Sequence, residues 1–279
     1  MARIPSIIYG TAWKEERTEA LVRQALDAGY TAIDTANQRK HYYEEGVGNA
    51  LAHFLQTGRV PRADLFLQTK FTYAAGQDHR LPYDVNASFA QQVRQSCHSS
   101  LEHLGVDYID SYILHGPSAG TGLTSADMEV WAAMEALVNS HQVRMLGVSN
   151  VNLDQLKLLY RNAHIKPEFV QNRCFAATGW DKDIRDFCTA NGIYYQGFSL
   201  LTANARELQN PAIAALAKSK GKTIPQTVFR FAVDVGMMPL TGTTDENHMR
   251  EDLDIFDFEL TKDEIALVEN IAQKQEGQM

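Results

Sequence analysis

Short apolar runs alternate with longer amphipathic segments along the whole chain. Eight runs have the composition and length of β-strands, and they span 6–10, 31–35, 65–71, 108–114, 143–149, 169–175, 193–199 and 237–242. The segments between them carry apolar residues at helical spacing, over 15–28, 44–56, 86–104, 126–139, 152–163, 181–191 and 245–254, with a further helix near 261–273. Asn86 or Ser88, Asn152 and Thr261 stand where N-caps are expected, and Thr261 with Glu264 has the capping-box pattern.

The regular alternation of strand and helix predicts a parallel sheet. Eight repeats without a composition break predict an α/β protein with one closed (β/α)8 TIM barrel as a single domain over 1–279. An open doubly wound sheet is the alternative, and the lack of a GxGxxG turn after the first strand disfavours it. The seventh connection, 200–236, has room for two helices, at 207–220 and 224–235. The barrel is therefore expected to carry an inserted helix after strand seven and a C-terminal helix.

The charge and composition exclude several classes of function. The 279 residues are 44% hydrophobic and 22% charged, with a net charge of −8, and this acidic balance argues against nucleic-acid binding. No window reaches the roughly 18 apolar residues of a membrane span. Cys97, Cys174 and Cys188 lack the spacing of metal ligands or of a disulfide framework. We therefore expect a cytoplasmic monomer that binds neither metal nor membrane.

Polar side chains stand at the carboxyl ends of the predicted strands, where the active site of a TIM barrel lies. Asp34 and Lys70 end neighbouring strands, so we expect them to form an ion pair that keeps both side chains charged in a partly buried mouth. The other residues at strand ends are His115, Ser149, Asn150, Gln171, Phe198, Ser199 and the segment Thr241 to Thr244.

An ion-paired lysine beside a tyrosine supports proton transfer. Free tyrosine has a pKa of about 10, and a nearby ammonium is expected to lower that pKa by stabilising the phenolate. A neutral histidine in the same site can orient a carbonyl oxygen. Such a set suits the reduction of a carbonyl group, with the hydride delivered by another molecule.

The ordered motifs resemble those of the aldo-keto reductase family over nearly the whole chain. They are YGTAW (9–13), IDTA (33–36), QTKF (68–71), ILHGP (113–117), GVSN (147–150) and VQN (170–172). The resemblance implies a TIM barrel that binds a nicotinamide cofactor without a Rossmann domain. It further implies catalytic roles for Asp34, Lys70 and His115, together with a tyrosine.

The tyrosine motif departs from the family pattern. The family places its tyrosine five residues after the aspartate, but this position is Arg39, and the loop is two residues longer than usual. The sequence KHY, followed two residues later by glutamate, resembles a branch of the family in which the extra residues precede the tyrosine. We therefore assign the proton-donor role to Tyr42, with Tyr43 as the alternative and as a substrate-pocket residue.

The cofactor site follows from the resemblance. Phe198 replaces the tyrosine that stacks on the nicotinamide, and His248 takes the place of an arginine that clamps the 2′-phosphate in NADP-specific members. Backbone N–H groups at the helix start after Gly242 can bind a phosphate. We expect NADP(H), with NAD(H) as the alternative. The expected cofactor-binding residues are Ser149, Asn150, Gln171, Phe198, Ser199, Leu201, Arg206, Thr241, Gly242, Thr243, Thr244, His248 and Asp252.

Aromatic side chains are expected to line the substrate pocket. They are Trp13, Tyr42, Tyr43, Tyr73 and Trp180, and such walls suit apolar or aromatic carbonyl compounds. The sequence therefore predicts an enzyme that reversibly reduces a small aldehyde or ketone to an alcohol. The alternative is a non-catalytic, cofactor-binding regulatory subunit on the same barrel, since fold does not dictate function.

Overall fold

The computed structural model describes residues 4–272, which form a closed barrel of eight parallel strands in sequence order. This confirms the predicted fold class. The strands are β1 Ile8–Gly10, β2 Ala32–Asp34, β3 Phe66–Phe71, β4 Ile109–Leu114, β5 Val143–Ser149, β6 Phe169–Arg173, β7 Tyr194–Phe198 and β8 Met237–Thr241.

The described residues contain ten α-helices. They are α1 Thr18–Ala28, α2 Glu44–Gln56, α3 Phe89–Leu104, α4 Ser125–Asn139, α5 Leu153–Asn162, α6 Lys182–Ala190, α7 Pro211–Ser219, α8 Ile224–Asp234, α9 Glu246–Leu253 and α10 Lys262–Glu269. Two helices, α7 and α8, occupy the connection after β7, and α10 is the C-terminal helix, so both predicted additions are present. The predicted domain limits, 1–279, include residues 1–3 and 273–279, which lie outside the described residues.

The helix caps explain most of the observed boundaries. Ser88, not Asn86, caps α3 through a side-chain hydrogen bond from the Gln91 amide. Capping boxes begin α5 at Asn152 and α10 at Thr261, as predicted. Strands β1 and β6 are shorter than the apolar runs that predicted them, because their pairing with the neighbouring strands covers only part of each run.

Two apolar cores support the barrel. The inner core fills the barrel interior with eight side chains, Ile8, Ala32, Phe66, Ile113, Met145, Phe169, Met238 and Leu240. The outer core lies between the strands and the helices and is much larger. The helices approach each other closely at Gly48 of α2, where a Cβ atom would lie 1.9 Å from the carbonyl oxygen of His103 in α3. Only glycine fits this contact.

Within residues 4–272, no helix combines the length and apolar character needed to cross a bilayer. The same residues contain no group of three or more His, Cys, Asp or Glu side chains arranged to hold a metal ion.

Candidate active site

Strand register brings polar side chains to the barrel axis, because successive residues of a strand point to opposite faces. Ala32, Phe66, Ile113 and Phe169 belong to the inner apolar core. The inward-facing positions that follow them are polar, and these are Asp34, Gln68, Lys70, His115 and Gln171. The sequence pattern thus places an apolar floor in the barrel and a polar layer at its carboxyl mouth.

Asp34 and Lys70 form the predicted ion pair. The Lys70 Nζ lies 2.6 Å from Oδ1 and 2.7 Å from Oδ2 of Asp34, and it donates a third hydrogen bond to the Thr35 carbonyl oxygen at 2.7 Å. Both side chains are buried. Burial lowers the pKa of Lys70, and the charge of Asp34 opposes that shift. All three ammonium protons are therefore used by the protein.

Tyr42 and His115 lie over this ion pair, at a point where two cavities meet. The Lys70 Nζ is 5.2 Å from the centroid of the Tyr42 ring, and the rings of Tyr42 and His115 are in edge contact with centroids 5.9 Å apart. Thr72 Oγ1 hydrogen bonds to Nδ1 of His115 at 2.7 Å. Burial, and then the charge of Lys70, lower the pKa of His115 to about 3. The imidazole is therefore neutral at neutral pH.

The acidity of Tyr42 differs from the sequence-based expectation. Burial, and then the charge of Asp34, raise the pKa of Tyr42 above the ordinary value of tyrosine. The prediction that Lys70 lowers this pKa is wrong for the resting site, because desolvation of the phenol and the negative charge of Asp34 both disfavour the phenolate. The Tyr42 hydroxyl therefore retains its proton at neutral pH.

Three buried glutamines form a hydrogen-bonded layer beneath the ion pair, which we call the glutamine layer (Gln68, Gln171 and Gln196). Gln68 and Gln171 donate from Nε2 to Oδ1 of Asp34 at 2.7 and 3.0 Å, and both also donate to Oε1 of Gln196 at 2.8 and 2.9 Å. Gln196 returns a hydrogen bond to Oε1 of Gln68 at 2.9 Å, and Ser111 Oγ donates to the same oxygen at 2.8 Å. Sequence reasoning missed Gln68 and Gln196, although both stand at inward-facing strand positions.

The layer fixes the orientation of the Gln171 amide. Its two N–H protons are used by Asp34 and Gln196, so Oε1 is the atom left to accept a hydrogen bond from the first cavity, which Gln171 lines. Ser149 and Asn150 border the same cavity. Ser149 Oγ donates to the Gln171 carbonyl oxygen at 2.6 Å, and Asn150 Nδ2 donates to the His115 carbonyl oxygen at 2.8 Å. Asn150 has a left-handed backbone with φ of 54°, which exposes its side chain at the strand end.

The first cavity has a volume of about 420 Å³ and extends from Tyr42 and His115 towards α9. It brings together most of the residues predicted to bind the cofactor, namely Ser149, Asn150, Gln171, Phe198, Ser199, Leu201, Thr241, Gly242, Thr243, His248 and Asp252. Arg206 and Thr244 are exposed and border neither cavity, so the structure does not bring these two predicted residues to the site.

A buried lysine that sequence reasoning missed stands beside this cavity. Lys14 follows β1, and its Nζ donates to the Gly242 carbonyl oxygen at 2.6 Å. Burial lowers the pKa of Lys14 to about 8, so the side chain still carries a positive charge at pH 7. Further along the cavity, Asp252 accepts a hydrogen bond from Thr241 Oγ1 at 2.6 Å, and burial raises the pKa of Asp252 to about 6.

The second cavity, of about 780 Å³, opens on the other side of Tyr42, His115 and Phe198. Trp13 borders both cavities, has a left-handed backbone with φ of 62°, and is 69% exposed. Its ring packs against that of His41 in a tilted arrangement, with centroids 3.9 Å apart. Much of the remaining wall is polar, with Gln38, Asn150, Asn152, Asn172, Arg173 and Asp181 among the lining residues.

Three of the aromatic residues assigned to the substrate pocket lie elsewhere. Tyr43 borders neither cavity and packs its ring under the guanidinium of Arg39 at 4.2 Å. Tyr73 turns its hydroxyl to Asp127 at 2.9 Å. Trp180 is fully buried and donates its indole N–H to the Val268 carbonyl oxygen at 3.1 Å. The expected aromatic wall is thus limited to Trp13, Tyr42 and the adjacent His41, together with the partly exposed rings of Phe175 and Phe198.

Comparison with known proteins agrees with this architecture. The sequence model of the Aldo/keto reductase family matches residues 6–273. The chain is 31% identical to aldo-keto reductase AKR2E4 of Bombyx mori, over 95% of this chain and 88% of the relative, and 30% identical to glyoxal reductase of Bacillus subtilis, over 91% and 83%.

A solved structure shares the same fold. It is MGS-M4, an aldo-keto reductase from a Medee basin deep-sea metagenome library, which superimposes with a TM-score of 0.83 at 26% identity and covers 98% of this chain and 93% of its own. Family membership implies a nicotinamide-dependent oxidoreductase that acts on carbonyl compounds. The chain belongs to the aldo/keto reductase family.

Proposed function

We propose that this protein reduces small aldehydes or ketones to alcohols, with Tyr42 as the proton donor. The observation that carries the proposal is the meeting of a protonated Tyr42 hydroxyl and a neutral His115 at the junction of two cavities, over the buried Asp34–Lys70 pair. A nicotinamide dinucleotide, when bound, supplies the hydride. The protein's own groups position the carbonyl and supply the proton.

Each residue at the junction has a distinct role in this proposal. His115, neutral over the working pH range, orients the carbonyl oxygen towards the Tyr42 hydroxyl. Tyr42 gives its proton to the oxygen as negative charge develops there, and an alkoxide is basic enough to take a proton from a weakly acidic phenol. Lys70 stabilises the phenolate left behind, and Asp34 holds Lys70 in place.

The residues of the first cavity fit such a dinucleotide. Gln171 presents an acceptor to a carboxamide, Phe198 offers an aromatic face to the nicotinamide ring, and the positive charge of Lys14 lies beside the Gly242 backbone. We retain NADP(H) as the expected cofactor and NAD(H) as the alternative. Lys14 supports binding of phosphate groups, whereas Glu251 and Asp252 on the α9 side of the cavity disfavour a 2′-phosphate that lacks an arginine clamp.

The decisive experiment compares two neighbouring tyrosines. NADPH and NADH oxidation is followed with a panel of aldehydes and ketones for the wild type, Tyr42→Phe and Tyr43→Phe. We expect Tyr42→Phe to lower kcat by about 100-fold or more, with cofactor binding in a fluorescence titration nearly unchanged. Tyr43→Phe is the matched control, because it borders neither cavity, and should remain active.

The outcomes separate the candidate functions. An active Tyr42→Phe variant with an inactive Tyr43→Phe variant would reverse the assignment of the proton donor. A wild type that binds either cofactor but oxidises neither with any carbonyl would support the alternative, a non-catalytic cofactor-binding subunit. Tighter binding of NADH than of NADPH in the fluorescence titration would overturn the expectation that NADP(H) is the cofactor.

A further inference from the structure

Arg173 is the last residue of β6 and shares the inward-facing register of that strand. Phe169 lies in the inner apolar core and Gln171 in the glutamine layer, so Arg173 stands one step above Gln171, at the barrel mouth. Its guanidinium carbon lies 5.7 Å from the centroid of the Phe198 ring. Phe198 separates the two cavities, and Arg173 lines the second cavity but not the first. The strand pattern therefore places a cation on the substrate side of the site.

The guanidinium of Arg173 is not used in an ion pair. No carboxylate within residues 4–272 makes an ion pair with this side chain. Asp181 is the acidic residue that lines the second cavity, and the acidic residues that line the first are Asp34, Glu251 and Asp252. Asp34 is paired with its buried lysine. Asp181 accepts hydrogen bonds from the Tyr195 hydroxyl at 2.8 Å and from Asn172 Nδ2 at 3.1 Å. A planar guanidinium resting on an aromatic ring is well suited to bind an oxyanion in two-pronged fashion.

The opposite side of the second cavity offers a hydrogen-bond acceptor. Gln38 donates from Nε2 to the Gly76 carbonyl oxygen at 2.6 Å, so its Oε1 must accept from Nδ1 of His41 at 3.0 Å. Burial, and then the charge of Lys40, lower the pKa of His41, so the ring is neutral at pH 7 with its proton on Nδ1. Nε2 of His41 is then an acceptor with no partner among the described residues.

We propose that the second cavity selects carbonyl compounds that carry an anionic group, a carboxylate or a phosphate, and that Arg173 is the residue that binds this group. The proposal rests on the proposed function, since it names the substrate class of the same site. It also extends the sequence-based expectation of apolar or aromatic substrates, because polar side chains, Arg173 among them, share the wall of this cavity with aromatic rings.

Matched pairs of substrates test the proposal. One pair is succinic semialdehyde and its methyl ester, and the other is glyceraldehyde 3-phosphate and glyceraldehyde. For the wild type, kcat/KM should favour the charged member of at least one pair. Arg173→Met should remove about 10-fold or more of that preference, mainly through KM, and leave the neutral members nearly unchanged. Arg173→Lys should restore part of the preference, because it keeps the charge.

Arg161→Met is the control variant, since Arg161 is exposed on α5 and lines neither cavity. A preference within the succinic semialdehyde pair would identify a carboxylate site, and a preference within the glyceraldehyde 3-phosphate pair would identify a phosphate site. Equal losses for charged and neutral substrates in Arg173→Met would overturn the proposal, as would a wild type without preference in either pair. If none of the compounds is turned over, calorimetry can compare the binding of the charged and neutral compounds to the wild type and to Arg173→Met. Absence of turnover would then count against the proposed function, and absence of a binding preference would count against the role of Arg173.

Discussion

Removal of the Lys70 ammonium should destabilise the protein far more than an ordinary lysine substitution does. In Lys70→Met, Asp34 remains as a buried carboxylate without a cation. Oδ1 keeps the amide donors of Gln68 and Gln171, but Oδ2 loses the hydrogen bond from Nζ. Truncation of one partner of a buried ion pair costs about 3–5 kcal/mol. Because two amide donors remain, we expect a loss of about 3 kcal/mol in the free energy of unfolding.

Urea unfolding at pH 7, followed by circular dichroism, measures this loss. The double variant Asp34→Asn/Lys70→Met removes the uncompensated charge and should recover about half of the lost stability. Lys157→Met, at an exposed position of α5, is the control and should change the free energy of unfolding by less than about 0.5 kcal/mol. If Lys70→Met matches this control, or if the double variant is less stable than Lys70→Met, the account of Asp34 as a charge held by Lys70 is refuted.

Three further predictions concern polar groups around the site. Gln68→Met should lower the free energy of unfolding in urea by about 2–4 kcal/mol, because it leaves several buried partners in the glutamine layer unsatisfied. The control is Gln92→Met, which should cost less, because the buried Gln92 side chain donates only to the backbone carbonyls of Val85 and Ala87. A hydrogen bond to Glu44 raises the pKa of His103 above 6.5, so its contribution to stability is complete below pH 6.5 and is lost as the pH rises through the folded-state pKa. His103→Gln should therefore cost about 1 kcal/mol at pH 5.5 and little at pH 9. Lys14→Met should weaken dinucleotide binding about 10-fold at pH 7, and a titration at pH 9.5 should show a smaller deficit, because the free lysine with a pKa of about 8 must first take up a proton.

The sequence was sufficient for the barrel and for the residues that project from strand ends. Asp34 and Lys70 could be paired because their strands are adjacent in sequence and in a parallel barrel, and the observed register brings Asp34 opposite Gln68. Their common location at the barrel mouth followed from their positions at the carboxyl ends of the strands. Such arguments need only one strand and its neighbour.

Features that depend on three or more distant segments could not be predicted in the same way. The glutamine layer joins β2, β3, β6 and β7, and the side chains of Gln68 and Gln196 meet across 128 residues of sequence. Lys14 lies at the site only because β1 pairs with β8 to close the barrel, which brings its ammonium to the Gly242 carbonyl oxygen after β8. Tyr73 and Trp180 were placed in the pocket because they are aromatic and near strand ends, but Asp127 and the Val268 carbonyl satisfy their polar atoms elsewhere.

The acidity of Tyr42 shows why a list of neighbouring charges does not determine a pKa. Lys70 was expected to lower this pKa because a cation stabilises a phenolate. The structure gives that cation three acceptors of its own, two of them on Asp34. Burial of the phenol, and then the charge of Asp34, raise the pKa of Tyr42. Only when the Tyr42 proton leaves does Lys70 gain a second anion to stabilise. In the proposed mechanism the ion pair therefore acts on the product of proton transfer, and the resting site keeps the protonated hydroxyl that carbonyl reduction requires.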